Sequence, residues 1–110
     1  MEVIREQGVR ILELKGNIQG DQTEQLESIL EDLHNKENYK VIVNMKDVKH
    51  VCSSALGLLV SYKRNFSKAH GDLKIVLVND ELLQLFEITM LDKIFEIYKT
   101  QSEAIDAFTS

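Results

Sequence analysis

Two apolar runs, Val41-Ile42-Val43 and Leu73-Lys74-Ile75-Val76-Leu77-Val78, constrain the fold of this chain more than any other feature. Both are rich in β-branched residues and show little alternation between apolar and polar positions. That pattern belongs to central strands covered by helices rather than to half-exposed edges. Between the runs, the spacing predicts a helix that begins at Ser53 and ends near Gly71, with the glycine as its C-cap. A strand, a helix and a second strand in that order imply parallel pairing through a right-handed crossover.

The flanking segments extend this unit. Val3-Ile4 and Val9-Arg10-Ile11-Leu12-Glu13-Leu14 read as two strands joined by a turn at Gln7-Gly8. Asp21-Gln22-Thr23-Glu24 has capping-box spacing and is expected to open a helix. Its Leu26, Ile29, Leu30 and Leu33 recur at i, i+3, i+4 and i+7, which makes one buried stripe. Gly16-Asn17-Ile18-Gln19-Gly20 turns the chain from strand into helix. It carries neither Gly-Lys-Ser/Thr nor a full dinucleotide fingerprint, so it is not a phosphate loop. After Asn79 a short helix presents Leu82, Leu83, Leu85 and Phe86. Ile94 to Tyr98 reads as a last strand, and Thr100-Gln101-Ser102-Glu103 caps a final helix carrying Ala104, Ile105 and Phe108. With no proline, five glycines and no low-complexity tract in 110 residues, the whole length reads as one ordered domain, residues 1–110.

Composition excludes several classes of function. Thirteen basic against eighteen acidic residues give a net charge of −5, with no basic stripe, so nucleic acid is not an expected partner. The longest uncharged run, Val51 to Tyr62, covers about a dozen residues, against the roughly 20 that a membrane helix needs, so no membrane insertion is expected. Charges at Glu2, Arg5 and Glu6 break any signal-peptide pattern. A single cysteine precludes an intramolecular disulfide and fits a reducing compartment, so a cytoplasmic location is expected.

The stretch His50-Val51-Cys52-Ser53-Ser54-Ala55-Leu56-Gly57-Leu58-Leu59 places two hydroxyls at the start of the central helix. Backbone N–H groups there lack intrahelical partners, and the helix dipole favours negative charge. Hydroxyls in such positions ordinarily serve as caps. The stretch also resembles the central motif of STAS domains, the anti-sigma-factor antagonist family, in which Asp-Ser-Ser/Thr-Gly-Leu-Gly carries a phosphorylatable serine. Thr89-Met90-Leu91-Asp92-Lys93-Ile94-Phe95 resembles the family's Thr-Gly-Leu-Asp-Lys-Leu-Phe segment, and Val41-Ile42-Val43-Asn44-Met45 its hydrophobic strand ending in Asp-Leu. The resemblance runs from the first strands to the last helix. It implies an α/β fold in which a mixed sheet of four to five strands carries about four helices, packed mainly on one face.

The resemblance further implies a protein that acts by binding and is not an enzyme. Unmodified antagonist would occupy an anti-sigma factor that is a serine kinase of the histidine-kinase-like ATPase class. Phosphorylation would release it, and a PP2C-type phosphatase would restore it. Ser53 matches the family's phosphoserine, with Ser54 the second choice. On a helical projection Ser53, Gly57, Ser61, Arg64 and Lys68 share one face, small at its start and basic at its end. Cys52, Ser53, Ser54, Ala55, Gly57, Ser61 and Arg64 would form the helix-side contact, with Asn17 and Gln19 on the adjoining loop. The sequence departs from the motif in having Cys52 for the acid and Ala55 for the glycine. Neutral Asn17, Gln19 and Asn44 also stand at positions matching family acids. These missing acids favour an alternative, a non-phosphorylated scaffold or accessory subunit of a signalling or lipid-transport complex.

No catalytic, cofactor or metal site is expected. A nucleophilic Cys52 would need a base and an orienting group that the sequence does not supply, although His50 lies nearby on an expected loop. The thiol is read as a small apolar group packed beneath the helix start. His34, His50, His70 and Cys52 match no zinc-ligand spacing.

Overall fold

A computed structural model describes residues 1–109. These form five strands, β1 (Glu2–Glu6), β2 (Val9–Ile18), β3 (Lys40–Val51), β4 (Asp72–Val76) and β5 (Ile97–Tyr98), and four α-helices, α1 (Asp21–Asn35), α2 (Ser53–Lys68), α3 (Asp80–Ile88) and α4 (Gln101–Thr109). The strands lie in one sheet in sequence order. β1 and β2 pair antiparallel across the Gln7-Gly8 turn, and every later neighbour is parallel. The expected mixed sheet is therefore present, with its parallel part built by helical crossovers.

The two faces of the sheet differ in how they are covered. Leu12, Val43 and Ile75 point into the larger core beneath α1, α2 and α3, where Leu26, Leu30, Leu59, Phe66 and Phe86 are fully buried. Val9, Ile11, Ile42 and Val76 face the other way and meet Ala104 and Ile105 of α4. The strands read as unbroken apolar runs because both faces are covered.

Several boundaries move for identifiable reasons. Strand β3 continues through Val51, so the loop expected before Ser53, with His50 on it, is strand instead. Met45, Val48 and Val51 are buried at intervals of three, a spacing foreign to a regular strand. Two register shifts, between Glu13/Lys15 and Gly16/Asn17 of β2, put the extra residues on β3 and bring these side chains back to one face. β2 likewise runs through Gly16 to Ile18, and only Gln19-Gly20 turns into α1.

The expected capping box at Asp21 does not form. Gly20 is the N-cap, its carbonyl accepting from Thr23 N–H at 3.0 Å, which leaves Asp21 inside the first turn. At the end of α2 the left-handed residue is His70, φ 67°, not Gly71. His70 N–H donates to Ser67 C=O and Gly71 N–H to Phe66 C=O, a Schellman pair. Gly71 is required for space, since a Cβ there would lie 2.0 Å from the Tyr39 carbonyl oxygen. The last strand shrinks to Ile97–Tyr98, because Leu91–Lys93 winds into a 3-10 turn and Phe95 N–H closes back on Leu91 C=O. Strand β4 likewise stops at Val76, two residues short of the expected end.

Other expectations hold. Asn79 caps α3, its Oδ1 accepting from Glu81 and Leu82 N–H, and Thr100 caps α4, its Oγ1 accepting from Glu103 N–H. Met90 stands at the family's glycine position with a left-handed backbone, φ 62° and ψ 19°. That conformation explains why glycine suits the position.

Candidate functional site

The long β2–β3 pair positions the site. Asn44 is the last β3 residue paired with β4, whereas β2 stays paired with β3 as far as Val51. At a strand rise of about 3.3 Å per residue, the β3 tip stands roughly 20 Å beyond the end of the β4 ladder. Cys52 N–H donates to Ile18 C=O at 3.0 Å, which ties the chain to the β2 tip before α2 begins.

Cys52 is the N-cap of α2, in extended conformation, and its carbonyl accepts from Leu56 N–H at 3.1 Å. Ser53 and Ser54 are thus the first two helical residues. Both are exposed, and neither side chain makes a capping hydrogen bond. The N-cap position falls to the preceding residue, whose side chain makes no capping hydrogen bond either. The Cys52 Sγ lies 3.4 Å from Thr23 Oγ1 of α1. The Thr23 hydroxyl, followed by the Ala55 and Ser54 N–H groups, holds the Cys52 thiol below its ordinary pKa against a weaker opposing effect of burial. Sequence reasoning assigned Thr23 to a capping box and missed this contact. With Gly20 as the cap, Thr23 turns toward the start of α2.

The exposed face of α2 follows the projection. Ser53, Gly57, Ser61, Arg64 and Lys68 all face solvent, while Leu59 and Phe66 are buried and Leu56 and Val60 half-buried. A Cβ at Gly57 would meet nothing within 4 Å, so its smallness serves no contact within the protein. Asn17 and Gln19 are exposed on β2 and in the turn after it. Asn17 pairs with His50, and Ile18 with Val51, so both flank the entry to α2.

One expected member, Ala55, leaves this surface, and Asn44, which matches a family acid, lies away from it. Ala55 is 0% exposed and packs in the core, so it offers no side chain to a partner. Asn44 is 3% exposed and sits on the α4 side of the sheet, donating from Nδ2 to Gln101 Oε1 at 2.9 Å while its Oδ1 accepts from Lys46 N–H. A strand longer than expected separates it from the serine. No acid occupies the first turn of α2. Asn17, Gln19 and Cys52 are likewise neutral, so these positions add no carboxylate to oppose the polar N–H groups of that turn.

Among the described residues, no group of three or more His, Cys, Asp or Glu could hold a metal ion. No helix among them is long and apolar enough to cross a membrane.

A mixed sheet of this order, with a serine pair opening the helix after its longest parallel strand, defines a class. The chain matches the STAS domain family model over residues 1–104 and belongs to that family. A candidate anti-sigma factor antagonist of Thermotoga neapolitana is 31% identical over 78 residues, which are 71% of this chain and 69% of the relative. The crystal structure of a candidate anti-sigma factor antagonist from Thermotoga maritima superposes with a TM-score of 0.87 at 25% identity, covering 99% of this chain and 94% of that one. The Bacillus cell fate determinant SpoIIAA, in its phosphorylated form, superposes with a TM-score of 0.76 over 96% of each chain. At 18% identity, that last likeness is one of fold.

Proposed function

We propose that this protein is an anti-sigma-factor antagonist that acts in the cytoplasm by occupying an anti-sigma factor, and that phosphorylation of Ser53 releases it. One observation carries the reading: the Ser53 side chain is exposed on the first turn of α2, at the end of an exposed stripe running through Gly57, Ser61 and Arg64. Small residues there let a partner approach the helix backbone. Phosphorylation adds about −1.5 to −2 charges in the middle of that contact. A charge buried unpaired in an interface costs several kcal/mol, enough to abolish micromolar binding. In the free protein the same phosphate faces N–H groups of the helix start and no neighbouring carboxylate in the first turn, so the modified form is stable. Relatives named as anti-sigma factor antagonists support the binding part of the reading.

The kinase would be the anti-sigma factor itself, of the histidine-kinase-like ATPase class, and a PP2C-type phosphatase would reverse the step. Ser54, also exposed, is the second-choice acceptor. Intact-mass analysis after incubation with ATP and the anti-sigma kinase of the same organism tests this. One added phosphate, lost in Ser53→Ala, is expected; no added phosphate overturns the switch. The neutral set Asn17, Gln19 and Cys52 favours a second reading, a STAS scaffold or accessory subunit that binds without being modified. Affinity capture separates the two readings. A kinase-like ATPase retained by the bait supports switching, and a transporter or signalling-assembly subunit supports the scaffold.

A further inference from the structure

Strand β5 is one of the two edges of the sheet, the other being β1. Ile75 N–H donates to Glu96 C=O and Leu77 N–H to Tyr98 C=O, each at 3.0 Å. Alternate residues of a strand turn their backbone groups to opposite sides, so the N–H and C=O of Ile97 face away from β4. No strand lies on that side. Beside this edge runs a groove of about 540 Å³ between β5 and α3, with Leu83, Phe95 and Ile97 among its apolar lining. Its polar margin holds three carboxylates, Glu87, Asp92 and Glu96, against the single ammonium of Lys99. Glu96 is paired with Lys74, whereas Glu87 and Asp92 make no ion pair among the described residues.

From this juxtaposition we infer that the β5 margin is a docking groove for an extended, cationic segment of a partner protein, added as a further strand beyond Ile97. The open backbone pair supplies main-chain hydrogen bonds. The apolar floor takes side chains of one parity, and Glu87 and Asp92 attract the cations that flank them. A second copy of this chain does not fit the same edge. The chain carries a net charge of −5, which opposes self-association, and symmetric antiparallel pairing about Ile97 would set Glu96 against Tyr98 of the mate and leave Glu87 and Asp92 without cations. The groove lies two strands away from β3, which leads to Ser53, so it stands independently of the phosphorylation reading.

The test uses the full chain, labelled with nitrogen-15, and a blocked octapeptide of alternating lysine and valine. Shifts at the amides of Ile97 and Lys99, affinity that falls as salt rises, and binding weakened about tenfold in the double variant Glu87→Lys/Asp92→Lys are expected. Both substituted positions are exposed, and an unchanged spectrum elsewhere verifies the fold. Any of four results overturns the inference: no shift at millimolar peptide, equal shifts from a glutamate–valine octapeptide, affinity indifferent to the double reversal, or the same shifts appearing when the protein alone is concentrated.

Discussion

At its carboxyl end α2 is tied down three ways. Phe66 is buried in the larger core, His70 and Gly71 close a Schellman pair, and Lys63 forms an ion pair with Asp72 at the start of β4. Asp72 in turn binds Lys74, which is 5% exposed, donates to Glu96 at 2.9 Å, and lies 4.8 Å from the centre of the Phe108 ring. At its amino end the same helix has a cysteine for a cap, no acid in its first turn and two hydroxyls facing solvent. The contrast separates stability from availability. The sequence spends its packing where the helix ends and leaves the beginning free to be altered with little consequence for the fold.

Substitutions at the two ends should therefore differ in effect. The largest loss is expected at Gly71→Ala, where the new methyl must displace the Tyr39 backbone. About 3 kcal/mol or more should disappear from the unfolding free energy, read as a shift of the urea midpoint. A wild-type midpoint would break the contrast.

Asp72→Asn should cost about 2 kcal/mol near neutrality, since it leaves Lys63 without its partner and Lys74 with Glu96 alone. Burial pushes the Asp72 carboxyl pKa up, but hydrogen bonds from Lys63, Lys74 and the Leu73 N–H outweigh it and hold it below the ordinary value. A carboxyl with a depressed folded pKa contributes fully above its unfolded pKa, about 4, and loses that contribution as pH falls through the folded value. The gap between wild type and Asp72→Asn should accordingly close on acidification. A gap independent of pH between about 6 and 2 would assign the loss to packing instead.

At the other end, Cys52→Asp should raise stability by about 1 kcal/mol, because a carboxylate caps the first turn and meets the helix dipole. It also restores the acid of the family motif next to Ser53, so comparing the phosphorylation rates of the two proteins sharpens the role of the missing charge. The smallest effect is expected at Ser53→Ala, within about 0.5 kcal/mol of wild type in thermal unfolding, because the hydroxyl makes no cap. A loss of 1 kcal/mol or more there, on the scale of a lost cap, would show the serine to be structural.

How much of this was legible in the sequence varies with the kind of signal. Val41–Val43 and Leu73–Val78 announced covered strands because unbroken apolar runs leave few alternatives. Leu26, Leu30 and Leu33 announced α1 through their period. The far half of β3 was not legible, since Met45, Val48 and Val51 recur every three residues and fit a strand only once two bulges are inserted. The caps at Gly20 and His70 were hidden as well. Asp21 and Gly71 are the stronger signals nearby, and close contact with Tyr39 rather than a turn is what demands Gly71. At the site, the exposed stripe of α2 followed from periodicity alone. The burial of Ala55 and the attachment of Asn44 to Gln101 depend on tertiary packing, which spacing along one helix or strand does not encode.

Beyond Asn44, strand β3 has a neighbour on one side alone, so the segment leading to Ser53 is a two-stranded ribbon grafted onto a five-stranded sheet. Ribbons of two strands are marginal by themselves. Amide protons of Lys46 to Val51 should therefore exchange with solvent well before those of Val41 to Val43, although both belong to one continuous strand. The pedestal of the serine can loosen while the sheet beneath it stays closed, so an enzyme engaging that hydroxyl would have to deform only the ribbon.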